Sequence, residues 1–112
     1  MNKYTELSDF EINKKVASHY LPCDYNLNDH AKTVELIRFL GDTAEYRVYG
    51  KFDPCNNPSD AMPIIIENEI SMIKSSGGWM CCHGSVGQVE HEILYRGAME
   101  LFLMMKDTEN NQ

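Results

Sequence analysis

Glu45-Tyr46-Arg47-Val48-Tyr49-Gly50-Lys51-Phe52-Asp53-Pro54-Cys55-Asn56-Asn57-Pro58 is the stretch that decides the architecture of this chain. Its first eight residues alternate, with Tyr46, Val48, Gly50 and Phe52 on one face and Glu45, Arg47, Tyr49 and Lys51 on the other, which is the pattern of a β-strand. The strand must stop at Asp53, because Pro54 and Pro58 have no N–H for a ladder and Asn56-Asn57 favours a tight turn. Asn57 or Ser59 then stands where a helix cap belongs. Pro63 is tolerated only in a first turn, which predicts a short helix from about Asp60 to Asn68. A strand that feeds directly into a helix predicts a mixed fold.

Toward the N-terminus, Thr33 to Leu40 is β-branched and partly alternating, and Gly41-Asp42 supplies a turn, so an antiparallel hairpin is predicted. Cys23 to Lys32 is rich in Asn and Asp and is expected to be a loop. Ser8-Asp9-Phe10-Glu11 matches a capping box, with Leu7 and Ile12 spaced as a hydrophobic staple. A helix should run from there to about Tyr20, where Pro22 ends it. Toward the C-terminus, Ile70 to Ile73 and Trp79 to His83 are strand candidates around the Ser75-Ser76-Gly77-Gly78 turn. From Val89 to Lys106 the spacing is helical, with Ile93, Leu94, Ala98, Leu101, Phe102 and Met105 on a core face. Tyr95, Met99 and Leu103 widen the apolar arc beyond one stripe, leaving Glu92, Arg96 and Glu100 opposite. That helix is therefore central or shared between two copies, and Tyr95, Met99 and Leu103 are candidate homodimer contacts. The expected fold is α+β: one domain over residues 1–106, an antiparallel sheet of about four strands in the order α-β-β-α-β-β-α, and a polar tail over 107–112.

With 112 residues, 43% of them apolar and 24% charged, the chain can bury one core without staples. The acidic N-terminal residues are unlike a secretory signal, and no apolar run approaches the roughly 20 residues of a membrane span, which predicts a soluble cytoplasmic protein. In that reducing compartment the four cysteines, Cys23, Cys55, Cys81 and Cys82, are expected as thiols. A net charge of −7 opposes direct binding to nucleic acid, whose phosphates demand Lys and Arg. No membrane partner and no cofactor are expected.

The most distinctive polar segment holds Asp53, Cys55, Asn56, Asn57 and Asp60 just before a helix N-terminus, where free N–H groups bind anions or lower a thiol pKa. Cys55 is thus a candidate nucleophile, with His83 or His91 as base. Against this, Asn56, Asn57 and Ser59 suit turn and cap bonding, and the nearby carboxylates oppose a thiolate. Cys81-Cys82-His83 with Cys55 and His91 offers zinc ligands, but strand alternation turns Cys82 away from its neighbours and no Cys-x-x-Cys is present, so no metal site is assigned. Asp24-x-Asn26-x-Asn28 with Glu35 imitates a calcium loop, yet Asp29 replaces the turn glycine and a strand follows. Trp79, Tyr46 and Tyr49 are either sheet core or an exposed aromatic surface.

Three segments together resemble the NinX-type phage proteins: Leu7-Ser8-Asp9-Phe10-Glu11-Ile12-Asn13, Asp53 through Asn68, and Ala98-Met99 with Phe102-Leu103-Met104. The resemblance implies a phage- or prophage-encoded protein working inside a bacterium, and it carries no catalytic residues with it. The function expected is a non-enzymatic module that binds a host or phage protein, with homodimerisation through the last helix. Two alternatives are a small enzyme using Cys55 and an acidic mimic of DNA that occupies a host nucleic-acid-binding protein.

Overall fold

The computed structural model describes residues 2–110. Three helices and six strands follow the order α1 (Asp9–Tyr20), β1 (Tyr25–Asn28), β2 (Thr33–Phe39), β3 (Tyr46–Phe52), α2 (Pro58–Glu67), β4 (Ser71–Ser75), β5 (Gly78–His83), β6 (Gly87–His91) and α3 (Leu94–Asn110). The fold is α+β, but its strands form two separate three-stranded antiparallel sheets, β1-β2-β3 and β4-β5-β6. The order is therefore α-β-β-β-α-β-β-β-α, with two strands beyond the four that the sequence predicts.

Both additional strands are short and owe their conformation to a neighbour. In β1, Leu27 pairs with Val34 and Tyr25 with Leu36, while Asn26 lies across from Glu35. The asparagines that suggest a loop thus form the polar face of an edge strand. In β6, Val89 pairs with Cys81 and is buried, so the alternation Gly87-Gln88-Val89-Glu90-His91 outweighs the weak helical start expected at Val89. At the other end α3 runs on to Asn110, through residues expected to fray, and the Tyr4 hydroxyl donates to the Asp107 carboxylate. Residues 111–112 of the expected tail lie outside the described residues.

Ser8 caps α1 by accepting the Glu11 N–H at 3.2 Å, as the capping box predicts. In α2 the cap is Asn57, whose Oδ1 accepts the Ser59 N–H at 3.0 Å. That start puts Pro63 inside the helix rather than in its first turn. Because Pro63 is exposed, its lost hydrogen bond falls on the solvent side.

The core lies around α3, against which α1, α2, β5 and β6 pack. Met99, Leu101 and Phe102 of α3 meet Ile12 and Val16 of α1 and Ile64 of α2, with Cys81 of β5 and Val89 of β6 closing the cluster. Every residue of α3 from Arg96 to Leu103 is buried, including Arg96 and Glu100, which helical spacing assigns to a solvent face. Met99 and Leu103 are 0% and 1% exposed, so they fill this core and do not form a surface; Tyr95 is partly buried. α3 is a central helix.

The first sheet touches the core only at its base. Val34 and Phe52 are buried there, whereas every residue from Arg38 to Tyr49 is exposed. The β2–β3 hairpin therefore stands out as an arm from a molecule measuring 49 × 33 × 24 Å.

Candidate functional site

The turn after β3 is the hub where four segments of the chain meet. Asp53 begins it: its carbonyl accepts the Asn56 and Asn57 N–H groups at 3.1 and 2.8 Å, and its own N–H donates to Asp60 Oδ2 at 2.9 Å. Asn13, one of the buried polar residues of α1, donates to Asp53 Oδ1 at 2.7 Å and accepts the Cys55 N–H at 3.2 Å. Asn56 Nδ2 reaches both Asp53 oxygens, at 3.0 and 3.2 Å, and Asp9 Oδ2 at 3.2 Å. These bonds satisfy the polar groups that the sequence singles out at Asp53, Asn56, Asn57 and Asp60.

Asp9 connects this turn to a buried ion cluster. Arg96 donates from Nη1 to Asp9 Oδ1 at 2.6 Å, from Nε to Glu100 Oε2 at 2.7 Å, and from Nη2 to the Tyr4 and Leu7 carbonyls at 3.0 and 2.7 Å. Asn2 completes Glu100 by donating to Oε1 at 3.2 Å. Burial works against the Arg96 charge, but the hydrogen bonds to Asp9 and Glu100 outweigh it and hold its pKa above the ordinary value. The cluster clamps the N-terminal segment onto α3. Periodicity does not reveal Asn13, Arg96 and Glu100, because a polar or charged side chain opposite an apolar stripe ordinarily faces water.

Cys55 sits at the centre of this hub, fully buried, with its sulfur 3.8 Å from the Asp9 carbonyl. Burial first, then the Asp9 charge, push its pKa far above that of a free thiol, which favours the neutral form over a nucleophilic thiolate. His83 and His91 have other partners: His83 Nδ1 meets Ser85 Oγ at 2.8 Å, and His91 Nδ1 accepts the Ile93 N–H at 2.9 Å. Cys81 is buried against the Leu94 carbonyl at 3.7 Å, and its pKa is pushed up to about 11, by burial first and by Cys82 second. Among the described residues no group of three His, Cys, Asp or Glu side chains is placed to hold a metal ion. Asn26 and Asn28 each donate to a Glu35 oxygen at 3.0 Å, so the calcium-like spacing is a cross-strand amide–carboxylate motif. Those two bonds hold the Glu35 carboxyl below its ordinary pKa.

The arm has the opposite character. Phe39, Leu40, Tyr46, Val48 and Tyr49 are between 39% and 54% exposed, which clusters large apolar side chains at one end of the molecule. Phe39 pairs across the strands with Tyr46, their rings edge to face with centroids 6.0 Å apart, and Ile37 pairs with Val48 in the next row of the same face. Arg38 and Arg47 lie directly opposite each other on the other face, a like-charge juxtaposition that costs stability, and Arg38 stacks 5.2 Å from the Tyr49 ring. The tip is tightly held. Thr43 Oγ1 donates to the Leu40 carbonyl at 2.7 Å and accepts the Glu45 N–H at 3.2 Å, and Leu40 N–H donates to the Glu45 carbonyl at 2.9 Å. Tyr46 and Tyr49 are thus surface residues, whereas Trp79 is partly buried, with Lys74 Nζ 5.4 Å from its ring centre.

Searches of curated proteins and of solved structures return no match for this chain. A family described as Bacteriophage P22, NinX matches residues 3–106, which takes in both helical ends, the Asp53 turn and the arm. The chain belongs to that phage protein family.

Proposed function

We propose that this phage protein acts as a protein-interaction module in the bacterial cytoplasm, presenting the β2–β3 arm to a protein partner. The observation that carries this is the contrast between the two polar and apolar concentrations on the molecule. The Asp53 hub spends its hydrogen bonds internally, while the arm leaves Phe39, Tyr46, Val48 and Tyr49 to solvent on a projecting hairpin. Large aromatic and aliphatic groups together at one exposed site are favourable to bury and costly to leave wet, and they mark interaction surfaces. Cys55, the residue on which an enzymatic alternative rests, is sealed beneath α1, where burial raises its pKa and disfavours the thiolate.

A photo-reactive benzoylphenylalanine placed at Tyr46, with Lys15 on α1 as control site, tests this in bacteria producing the protein during phage growth. A discrete adduct from the arm and none from Lys15 is the expected result. Equal labelling at both sites, or none at Tyr46, overturns the proposal.

A further inference from the structure

We infer that the partner of the arm is a protein surface carrying Asp or Glu side chains, which the Arg38 and Arg47 guanidinium groups recognise together. This rests on the arm being the interaction surface. The two arginines lie directly opposite each other across β2 and β3, and both are exposed. Like charges in that position repel and cost the isolated arm stability. Among the described residues neither makes an ion pair. Glu45, two residues before Arg47, is paired with neither, and its backbone N–H and carbonyl serve the hairpin tip. Asp24, whose charge reaches the Tyr49 hydroxyl, makes no ion pair with Arg38 either.

The chain has three arginines, and the third shows what pairing looks like here. Arg96 is saturated by two carboxylates and two carbonyls. With 17 acids against 10 bases, carboxylates are not scarce in this sequence. Two arginines side by side without one therefore present a site for carboxylates from outside.

Each guanidinium offers a planar fork of N–H groups that takes a carboxylate through two parallel hydrogen bonds. The Tyr49 ring, 5.2 Å from Arg38, steadies one of the forks. On the other face of the same strand rows, Phe39, Tyr46 and Val48 are exposed and apolar. The matching partner thus grips the hairpin between an apolar wall and an acidic one, and excluding water on the apolar side strengthens the charged contacts. A guanidinium accepts phosphate equally well, but duplex nucleic acid brings one negative charge per ~1.7 Å toward a chain of net charge −7. A protein partner brings its carboxylates only where the arginines stand. A small free anion fits poorly, since a projecting hairpin is convex and does not enclose it.

The test repeats the Tyr46 cross-linking in bacteria during phage growth, in the parent chain and with Arg47→Lys, Arg47→Gln or Arg47→Glu, each also purified for thermal melting. Arg47→Glu sets an opposite charge across from Arg38, so it should melt at or above the parent temperature while its adduct yield falls at least about tenfold. Arg47→Gln should also lose adduct without melting lower, and Arg47→Lys should keep more of it than Arg47→Gln because the charge remains. Sequencing should place the cross-link in a segment bearing Asp or Glu. A protein adduct whose yield is the same in Arg47→Glu as in the parent, or falls equally in Arg47→Lys and Arg47→Gln, overturns the acidic partner and leaves the interaction module standing. An Arg47→Glu chain that melts lower than the parent overturns it as well, because the arginine pair is then not held at the expense of stability. An adduct destroyed by nuclease, or no Tyr46 adduct in the parent, overturns both.

Discussion

At the scale of single residues, the side chains that look reactive are occupied in holding the chain together. Arg96 carries the largest share, since its four donated bonds span the N-terminal segment, α1 and α3. Removing it strands the Glu100 carboxylate, which is 1% exposed. Arg96→Met should therefore cost about 3–5 kcal/mol in urea unfolding, and adding Glu100→Gln should recover part of it by removing the unpaired charge. Asp107 gives an acid-linked counterpart. Burial raises its pKa, but hydrogen bonds from Tyr4 and Lys3 lower it more, leaving it below the ordinary carboxylate value. A depressed carboxylate stabilises the fold above its unfolded pKa, and the contribution is lost as pH falls through the folded value. Urea unfolding followed from neutral pH into the acid range should show this loss, with a shallower slope in Asp107→Asn. Cys81 runs the other way: its raised pKa gives stability that is present below about 9 and is lost as pH rises through about 11. With a thiol reagent, exposed Cys23 should react quickly in the native protein, while Cys55 and Cys81 should react only on unfolding. Rapid native labelling of Cys55 would return the enzymatic reading to the front.

At the scale of elements, what was legible follows from how local each signal is. The α1 cap and the β2–β3 and β4–β5 hairpins are written in adjacent residues and form where their patterns predict, whereas α3 begins only at Leu94, because β6 takes the residues from Val89 to His91 where helical spacing starts. β1 and β6 hold one or two apolar residues each, and their pairing energy comes from strands elsewhere in the chain, so spacing alone does not reveal them. Two positions make testable demands on the backbone. Just past the Asn68 cap of α2, Glu69 stands in the left-handed region at φ 55°, with Ile70 N–H bonded to the Ile65 carbonyl and Glu69 N–H to the Ile66 carbonyl. That motif favours glycine, so Glu69→Gly should raise stability by about 0.5–1 kcal/mol in thermal or urea melts. Gly78 opens β5 so close to β6 that an added Cβ would lie 2.5 Å from the His91 carbonyl oxygen. Gly78→Ala should therefore separate the two strands and lower stability by at least about 2 kcal/mol.

At the scale of the whole molecule, the core gathers around α3 while one hairpin reaches past it. That asymmetry predicts uneven sensitivity. Substitutions within the arm, such as Tyr46→Ala or Val48→Arg, should shift the melting temperature little, because the side chains are exposed, yet they should abolish association. Truncating Met99 or Leu103 to Ala should instead cost about 2–5 kcal/mol by opening a cavity. Residues close together in the chain suffice for the mixed class, the Ser8 cap, two hairpins, the turn bonding of the Asn-rich segment and the resemblance to a phage family, whereas the cap of α2 stays open between Asn57 and Ser59 until the fold selects Asn57. Which apolar surface stays wet depends on packing between distant segments. Periodicity gives α3 an apolar arc and a charged back but not what covers either, and α1 with the N-terminal segment supplies Asp9, Asn2 and two carbonyls that bury Arg96 and Glu100. The extra residue Tyr49 breaks the alternation read for Tyr46–Phe52: Tyr46 and Val48 lie across from Phe39 and Ile37 on one face, while Gly50 and Phe52 lie across from Leu36 and Val34 on the other, with Phe52 in the core, since face and burial follow from what lies across a strand and not from the strand itself.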